Sequence, residues 1–506
     1  MRATWPRWGI YALLTLFAVL LLASLPGRKM HGDDAWLGEQ AYWMSRVGYV
    51  RSDLFRGMLD YDRRQMVYHK LFIWTGAATV RIFGWSLRNL KAISLLFFLV
   101  FLAASYAYFR RNSGRFQPGA FWLFSLLVIS APLIFRYAFI FRPEMMLMTL
   151  GFLSFYFLDV GRGMAGVRHG VPAVGRGAGA GRGVADPRGA AGRATAAGLF
   201  AGLGLLTHLN GWIFIAAGLV ILATRRALRP ALAFAAGAAA ASALYMIDLA
   251  SVENLKLFAS QMKNDLPIGD AGILSRILNI AYEPKRFFYS IREIFPSALL
   301  VLGLAFAWKK LVGKHREVLL YLAVLVVGLA VLSRPRPSYY IVLYIPYMAL
   351  LTTEALMDAR SLPRAMRYIL VSVLAAGLGV SVFLSVSLIR AAEPLAQVNA
   401  EIASVIPEGA AVAAPAGFIF NQIGSYKIQS LTFYDRYAER NGTRFEPESF
   451  FALARSYGNT CVILDNEFAG KIGMAAFPEG GTIGGYKFVK AVKGRQIFEA
   501  TWDPRT

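Results

Sequence analysis

Two carboxylates, Asp33 and Asp34, stand side by side in His31-Gly32-Asp33-Asp34-Ala35-Trp36, directly after the first apolar segment of the chain. A third, Glu144, lies in Phe141-Arg142-Pro143-Glu144, between two later apolar segments. Around them the sequence offers basic and aromatic groups in short polar stretches: Tyr68-His69-Lys70, His208-Leu209-Asn210 and Arg334-Pro335-Arg336-Pro337-Ser338-Tyr339-Tyr340. Carboxylates gathered with cations can take a proton from a hydroxyl beside a bound anion, provided that the fold brings these stretches to one surface. Each residue also has a plain structural use. Asp33 or Asp34 can cap a helix beginning near Ala35, and Arg142 can pair with Glu144. Arg334 and Arg336 can anchor lipid headgroups, His69 and His208 can be structural, and Trp36, Tyr42 and Trp43 suit a membrane interface. Joint placement is what makes a site of them.

The chain that must position them is apolar. Of its 506 residues 57% are hydrophobic, and the mean hydropathy is +0.47, which exceeds what soluble domains carry and identifies a polytopic membrane protein. The net charge of +24 does not point to nucleic acid, because Lys and Arg fall mostly in short clusters between apolar stretches, where they set topology. A single cysteine, Cys461, excludes an internal disulfide and offers no thiolate metal site.

Arg2 and Arg7 precede an apolar run over 9–26 that reads as an uncleaved signal anchor. Further windows over 88–109, 118–138, 144–160, 195–207, 211–224, 230–250, 295–311, 317–333, 339–357 and 367–389 bring the expected spans to about eleven. Alternate short loops carry Arg110, Arg111 and Arg115; Arg225, Arg226 and Arg229; Lys309, Lys310, Lys314 and Arg316; Arg360, Arg364 and Arg367. The positive-inside rule then puts the N-terminus in the cytoplasm and Asp33, with the C-terminus, outside the cytoplasmic membrane. Against it, the first outer connection holds Arg28, Lys29, Arg46, Arg51, Arg56, Arg63 and Arg64.

Within that connection, 27–87, Tyr68 to Phe83 reads as an interfacial helix. A second long outer connection runs over 251–295. The stretch 161–197, rich in Gly, Ala and Arg, is expected to be a disordered cytoplasmic linker. The domain plan is therefore a membrane domain over 1–390 and a small soluble extracytoplasmic α/β domain over 391–506. The latter is expected to have strands at Ala411 to Ala414, Thr460 to Leu464, Tyr486 to Val492 and Gln496 to Ala500. A helix is expected at Phe450 to Tyr457, and turns at Pro407-Glu408-Gly409 and Pro478-Glu479-Gly480.

These motifs, in this order over roughly residues 9 to 350, resemble the C-type (GT-C) membrane glycosyltransferases, in the branch of the protein O-mannosyltransferases and lipid A aminoarabinose transferases. Asp33-Asp34 with Tyr42 resembles the family's acidic pair, with Asp in place of Glu at the second position. His69-Lys70-Leu71 leading to Arg81-Ile82-Phe83-Gly84 resembles its basic residue and interfacial helix, without the prolines often found there. Glu144 occupies the place of its second outer acid, Leu206-Thr207-His208-Leu209-Asn210-Gly211 resembles a later Lys- or His-bearing segment, and Arg334 to Tyr340 with Tyr344-Ile345-Pro346 a basic segment leading into Tyr and Pro.

The resemblance implies a mostly α GT-C-like fold and transfer of a sugar from a polyprenyl-phosphate carrier to an acceptor hydroxyl. Asp33 would take the acceptor's proton, and Asp34 or Glu144 would hold the acceptor or raise the pKa of that base. Lys70, Arg142, Arg334 and Arg336 would hold the departing phosphate, and Tyr42, His69, His208 and Tyr339 would contact the substrates. The acceptor is a glycan, lipid or protein. No spacing in the sequence demands a cofactor, and a divalent cation between carboxylate and phosphate is left open. A transporter or flippase of lipid-linked sugars is the alternative, which the lack of a clear internal repeat disfavours.

Overall fold

In a bilayer a helix satisfies its backbone polar groups within one segment, and the apolar windows of this chain fold accordingly. The structure, a computed structural model, describes residues 7–159, 187–265, 273–332, 338–474 and 477–502. It starts with α1 (Arg7–Ser24), followed by α2 (Gly32–Val47) and α3 (Lys70–Phe83) of the first polar connection. Then come α4 (Leu87–Arg111), α5 (Ala120–Ser130), the short α6 (Pro132–Tyr137), α7 (Glu144–Asp159), α8 (Pro187–Thr207), α9 (Trp212–Thr224) and α10 (Leu228–Ala243). The second connection holds α11 (Val252–Asp265), α12 (Ile273–Tyr282) and α13 (Pro284–Phe287), before α14 (Ile291–Leu332), α15 (Ile345–Met357) and α16 (Arg364–Arg390). Every expected window falls on helix. Among the described residues five helices are long and apolar enough to cross a membrane, with three shorter apolar ones beside them. That establishes a multi-pass membrane bundle; the figure of eleven crossings goes beyond it.

Helix α14 shows how two windows share one element. Its 42 residues would make a rod of about 63 Å, twice the bilayer core. Non-helical backbone at Ala307 (φ −120°) and His315 (φ −124°) breaks it. Up to Lys310, which lies between the two breaks, Gly303 packs on Ala355 and Lys310 pairs with Asp358, so this part runs alongside α15 in the same direction. From Lys314 onward, Lys314 meets Glu354, Tyr321 meets Tyr347 and Tyr344 reaches the Leu325 carbonyl, in the opposite direction. The chain therefore turns back between the windows 295–311 and 317–333.

Residues 187–197, expected inside the disordered linker, are the first turns of α8; the rest of the linker up to residue 186 lies outside the described residues. The Gly and Ala composition that cannot fill a soluble core is what close packing between membrane helices uses. A Cβ added at Gly198 would lie 2.0 Å from the Phe234 carbonyl oxygen of α10, and one at Gly202 would lie 2.4 Å from that of Ala238.

After α16 come α17 (Leu395–Ala403) and the C-terminal α/β unit: β1 (Ala411–Ala414), β2 (Lys427–Ser430), α18 (Leu431–Asn441), α19 (Pro447–Ser456), β3 (Cys461–Asp465), α20 (Asn466–Lys471), β4 (Thr482–Ile483), β5 (Tyr486–Val492) and β6 (Arg495–Ala500). The six strands order β2-β1-β3-β6-β5-β4, with the first three parallel and the rest antiparallel. Gly409 and Gly480, which end the two expected turns, take φ of +75° and +74°, open to Gly without strain.

This unit does not have a core of its own. Leu54, Phe55, Met58 and Tyr61 of the first connection belong to one buried cluster with Phe418, Phe433, Phe450 and Phe498. Ser430 N–H donates to the Leu54 carbonyl at 2.9 Å, Arg56 donates to Asn459 at 3.1 Å, and Arg436 lies over the rings of Trp36 and Phe55. Gln261 of α11 bonds Met66 N–H at 2.7 Å and the carbonyls of Leu59 and Arg64, binding the second connection to the first. Four of the basic residues that broke the loop pattern have structural partners here: besides Arg56, Arg51 pairs with Asp53, Arg46 lies over Tyr42 and Arg64 over Tyr49.

Candidate active site

Helix α2 starts with a capping box that separates the two adjacent aspartates. His31 is the N-cap residue: its Nδ1 accepts from Asp33 N–H at 3.3 Å, while Asp34 reaches back to accept from His31 N–H at 2.7 Å. Asp34 is fully buried, and its other oxygen accepts from Phe141 N–H at 2.6 Å. Burial raises its pKa, against the pull of Lys91 and of these two N–H groups. Asp33 keeps 37% of its side-chain surface. Neighbours along a helix point about 100° apart, which is how one carboxylate is enclosed while the next faces out.

Arg142 joins Asp33 to Glu144. Its Nη1 donates to Asp33, while Nε (3.1 Å) and Nη2 (2.6 Å) donate to the buried Glu144 at the start of α7. The Tyr339 ring lies under the guanidinium at 4.4 Å, with Tyr137 at 5.7 Å and stacked on Tyr339. Beside this group the imidazoles of His69 and His208 stack at 4.6 Å, and His208 Nε2 is 3.1 Å from the Tyr340 hydroxyl. Because His208 Nδ1 accepts from Asn210 N–H, Nε2 carries the proton and donates. Burial pushes both imidazoles down to about 3, with Arg142 adding to the effect, so both are neutral.

By sequence the chain matches no protein-family model and no curated protein. Its structure is similar to that of ArnT from Cupriavidus metallidurans, a lipid A aminoarabinose transferase, in the apo state: TM-score 0.57 at 15% identity, over 97% of each chain. ArnT bound to undecaprenyl phosphate gives 0.57 at 13% identity over 98% of each chain. The oligosaccharyltransferase AglB from Archaeoglobus fulgidus, in complex with an inhibitory peptide and a dolichol-phosphate, gives 0.52 at 11%, over 91% of this chain and 70% of that one. This is the GT-C glycosyltransferase fold.

Within the GT-C fold, the expected residues Asp33, Arg142, Glu144, His69, His208 and Tyr339 come together at one end of the bundle. Arg334 and Arg336 lie outside the described residues. Lys70 is enclosed, its ammonium 2.8 Å from Asp248 and 4.7 Å from the Tyr245 ring. Tyr42 packs on Trp43 and Trp85 and stands beside Gly424 of the C-terminal unit. Nine residues separate it from Asp33, about two and a half helical turns, so the two leave opposite faces of α2.

Sequence reasoning missed Tyr137, Lys91 and Asp248. The last two had a visible signal, as charged residues inside apolar windows. The Arg142 guanidinium bridges Asp33 and Glu144. Among the described residues no group of three or more His, Cys, Asp or Glu is arranged to hold a metal.

Proposed function

We propose that this chain transfers a sugar from a polyprenyl-phosphate carrier to an acceptor hydroxyl at the outer face of the cytoplasmic membrane, in the synthesis of cell-envelope glycan, glycolipid or glycoprotein. The observation that carries the reading is Asp33: one partly exposed carboxylate, oriented by a guanidinium whose other side is closed by a buried Glu. In support, ArnT binds undecaprenyl phosphate and AglB was solved with a dolichol-phosphate. The end of the bundle opposite Asp33 carries Arg110, Arg111, Arg225, Arg226, Lys310 and Arg364, as a cytoplasmic face should. The N-terminus then lies in the cytoplasm, and the C-terminal unit packs on the first connection outside.

In the reaction the acceptor hydroxyl gives its proton to Asp33 as its oxygen forms a bond to the anomeric carbon. The bond from that carbon to the phosphate oxygen breaks, and its electron pair leaves with the polyprenyl phosphate. An in-line attack inverts the anomeric centre. Two of the five N–H groups of Arg142 remain for the phosphate, which needs cationic partners as it departs. Asp34 holds the turn and does not meet substrate. The neutral His69 faces the same cluster and suits an acceptor hydroxyl, as does Tyr339.

The test supplies purified protein with undecaprenyl-phosphate hexoses and pentoses and with lipid, polysaccharide and protein acceptors, and looks for an acceptor that gains the mass of one sugar. Asp33→Asn should abolish the gain and keep binding of undecaprenyl phosphate. A flippase would instead move label across a vesicle bilayer with no change of mass, and that result overturns the proposal.

A further inference from the structure

Lys91 lies one turn into α4 and is 2% exposed. An ammonium has three N–H groups and no acceptor, and here they face the carbonyl oxygens of Arg28 (3.0 Å) and Lys29 (3.2 Å) and the Asp34 carboxylate (3.5 Å). Asp34 takes the N–H of His31 with one oxygen and that of Phe141 with the other. Ser94, one turn further along α4, donates to the Ile140 carbonyl at 2.5 Å and lies 3.4 Å from that of Arg142. One end of α4 thus grips both segments of the site, that leading to Asp33 through Lys91 and that leading to Arg142 through Ser94, and Asp34 is tied to both.

A buried ion pair is a costly way to hold a loop, since apolar contacts would do it without desolvating two charges. What the pair adds is direction, because each N–H and each carboxylate oxygen fixes a named atom of a different segment. Asp33 and Arg142 are the side chains that these segments present to each other.

We propose that Lys91 is a positioning residue, which through Asp34 and the Arg28 and Lys29 carbonyls sets Asp33 against Arg142 without touching donor or acceptor. The proposal rests on Asp33 being the base, and the experiment keeps the two apart. With the donor and acceptor that give turnover in the screen above, Lys91→Met should lower kcat by about 100-fold, the cost of an ångström of misplacement. The donor KM should stay within about threefold, as expected when only a transition-state interaction is lost. Binding of undecaprenyl phosphate should be retained, and amide exchange should quicken together at 31–34 and 140–142.

Native kcat in Lys91→Met overturns the proposal, as does a joint loss of kcat and of undecaprenyl phosphate binding, which would make Lys91 a donor ligand. Should Lys91→Met fail to fold, Ser94→Ala carries the test. It leaves the ion pair whole and should lower kcat about tenfold if the grip of α4 sets the geometry, whereas native kcat there also overturns the proposal. Asp33→Asn with native transfer defeats the assignment of the base; Asp33→Asn inactive with Lys91→Met native defeats the positioning role alone.

Discussion

The bundle buries charge at both ends, and only one end looks like a site. At the far end Arg115 pairs with Asp159 at 2.9 Å, Tyr108 donates to the same carboxylate at 2.7 Å, and Arg225 holds Glu317. There Lys314 and His315 both meet Glu354, at 2.5 and 3.2 Å, where α14 turns back. Asp159 and Glu354 are closed off from solvent. At the other end Arg142 also bridges carboxylates, with Glu144 as closed as any of these, but Asp33 is left partly open. Buried pairs are therefore not what marks the site. The mark is one carboxylate held by the same kind of partner and still able to meet a hydroxyl.

That difference is broken most sharply by removing the open carboxylate's basicity. Asp33→Asn should reduce transfer by about 10²- to 10⁴-fold, the range for a general base, with little change in melting temperature because the side chain is partly exposed. A labelled-sugar assay beside a thermal-shift curve checks both halves. Transfer within a few-fold of native would leave Asp33 no more than another paired acid.

Arg142→Lys comes next, because an ammonium cannot span two carboxylates as the planar fork does. Glu144 is then left buried with a poorer partner, at a cost approaching the roughly 3–5 kcal/mol of breaking a buried pair, and Asp33 loses its orientation. Activity should fall by about 100-fold and the melting temperature with it. If Arg142 alone supplies the positive charge beside Asp33, chelation with EDTA should leave the native rate unchanged. A rate that EDTA abolishes and Mg²⁺ or Mn²⁺ restores would separate this site from the closed pairs for a reason other than Asp33.

How far this was legible in the sequence follows from which forces act over which range. Apolar run length is a constraint on each segment alone, so the windows, the hairpin hidden in α14 and strands β1 and β5 could be read directly. The polar residues between windows or at their first positions, Asp33, Arg142, Glu144, His69, His208 and Tyr339, could be gathered because alternation across the bilayer sends them to one end. What could not be read was that Asp34 is enclosed while Asp33 stays partly open, which depends on His31 taking the cap and on Phe141 N–H arriving from a distant turn. Strand β2 was hidden for a similar reason: Gln429 and Ser430 are buried polar residues whose partners, the Arg56 carbonyl and the Leu54 carbonyl, come from the first connection. Lys91 and Asp248 stood out as charges, but their partners lie elsewhere in the chain.

At the far end the expected effect changes kind. Glu354→Gln should leave turnover per folded molecule unchanged while lowering the melting temperature, by a loss of about 1–3 kcal/mol for a buried acceptor with weakened partners. A thermal-shift curve and an active-site titration on the same sample check it. Loss of turnover without loss of stability would mean that the closed network at α14 reaches the chemistry, and the contrast between the two ends would fail.

The last effect expected is a slope with pH, and it belongs to the first connection. Glu39 of α2 is buried and accepts from the N–H groups of Asp53 (2.6 Å) and Leu54 (3.1 Å) and from the Ser52 hydroxyl, so it holds the turn on which Ser430 docks. Burial pushes its carboxyl up from 4.5 to about 8, with Asp53 adding to the rise and the hydrogen bonds opposing it. The folded state therefore holds this proton more tightly than the unfolded chain does. The resulting stabilisation is complete below pH 4.5 and is lost as pH rises through about 8. Melting temperature measured from pH 5 to 8.5 should fall in the native protein and fall less in Glu39→Gln, which carries no titrating proton. Parallel curves for the two proteins would show that the carboxylate is ionised throughout, with its hydrogen-bond donors outweighing burial, and this turn would then respond to pH no more than the far end does.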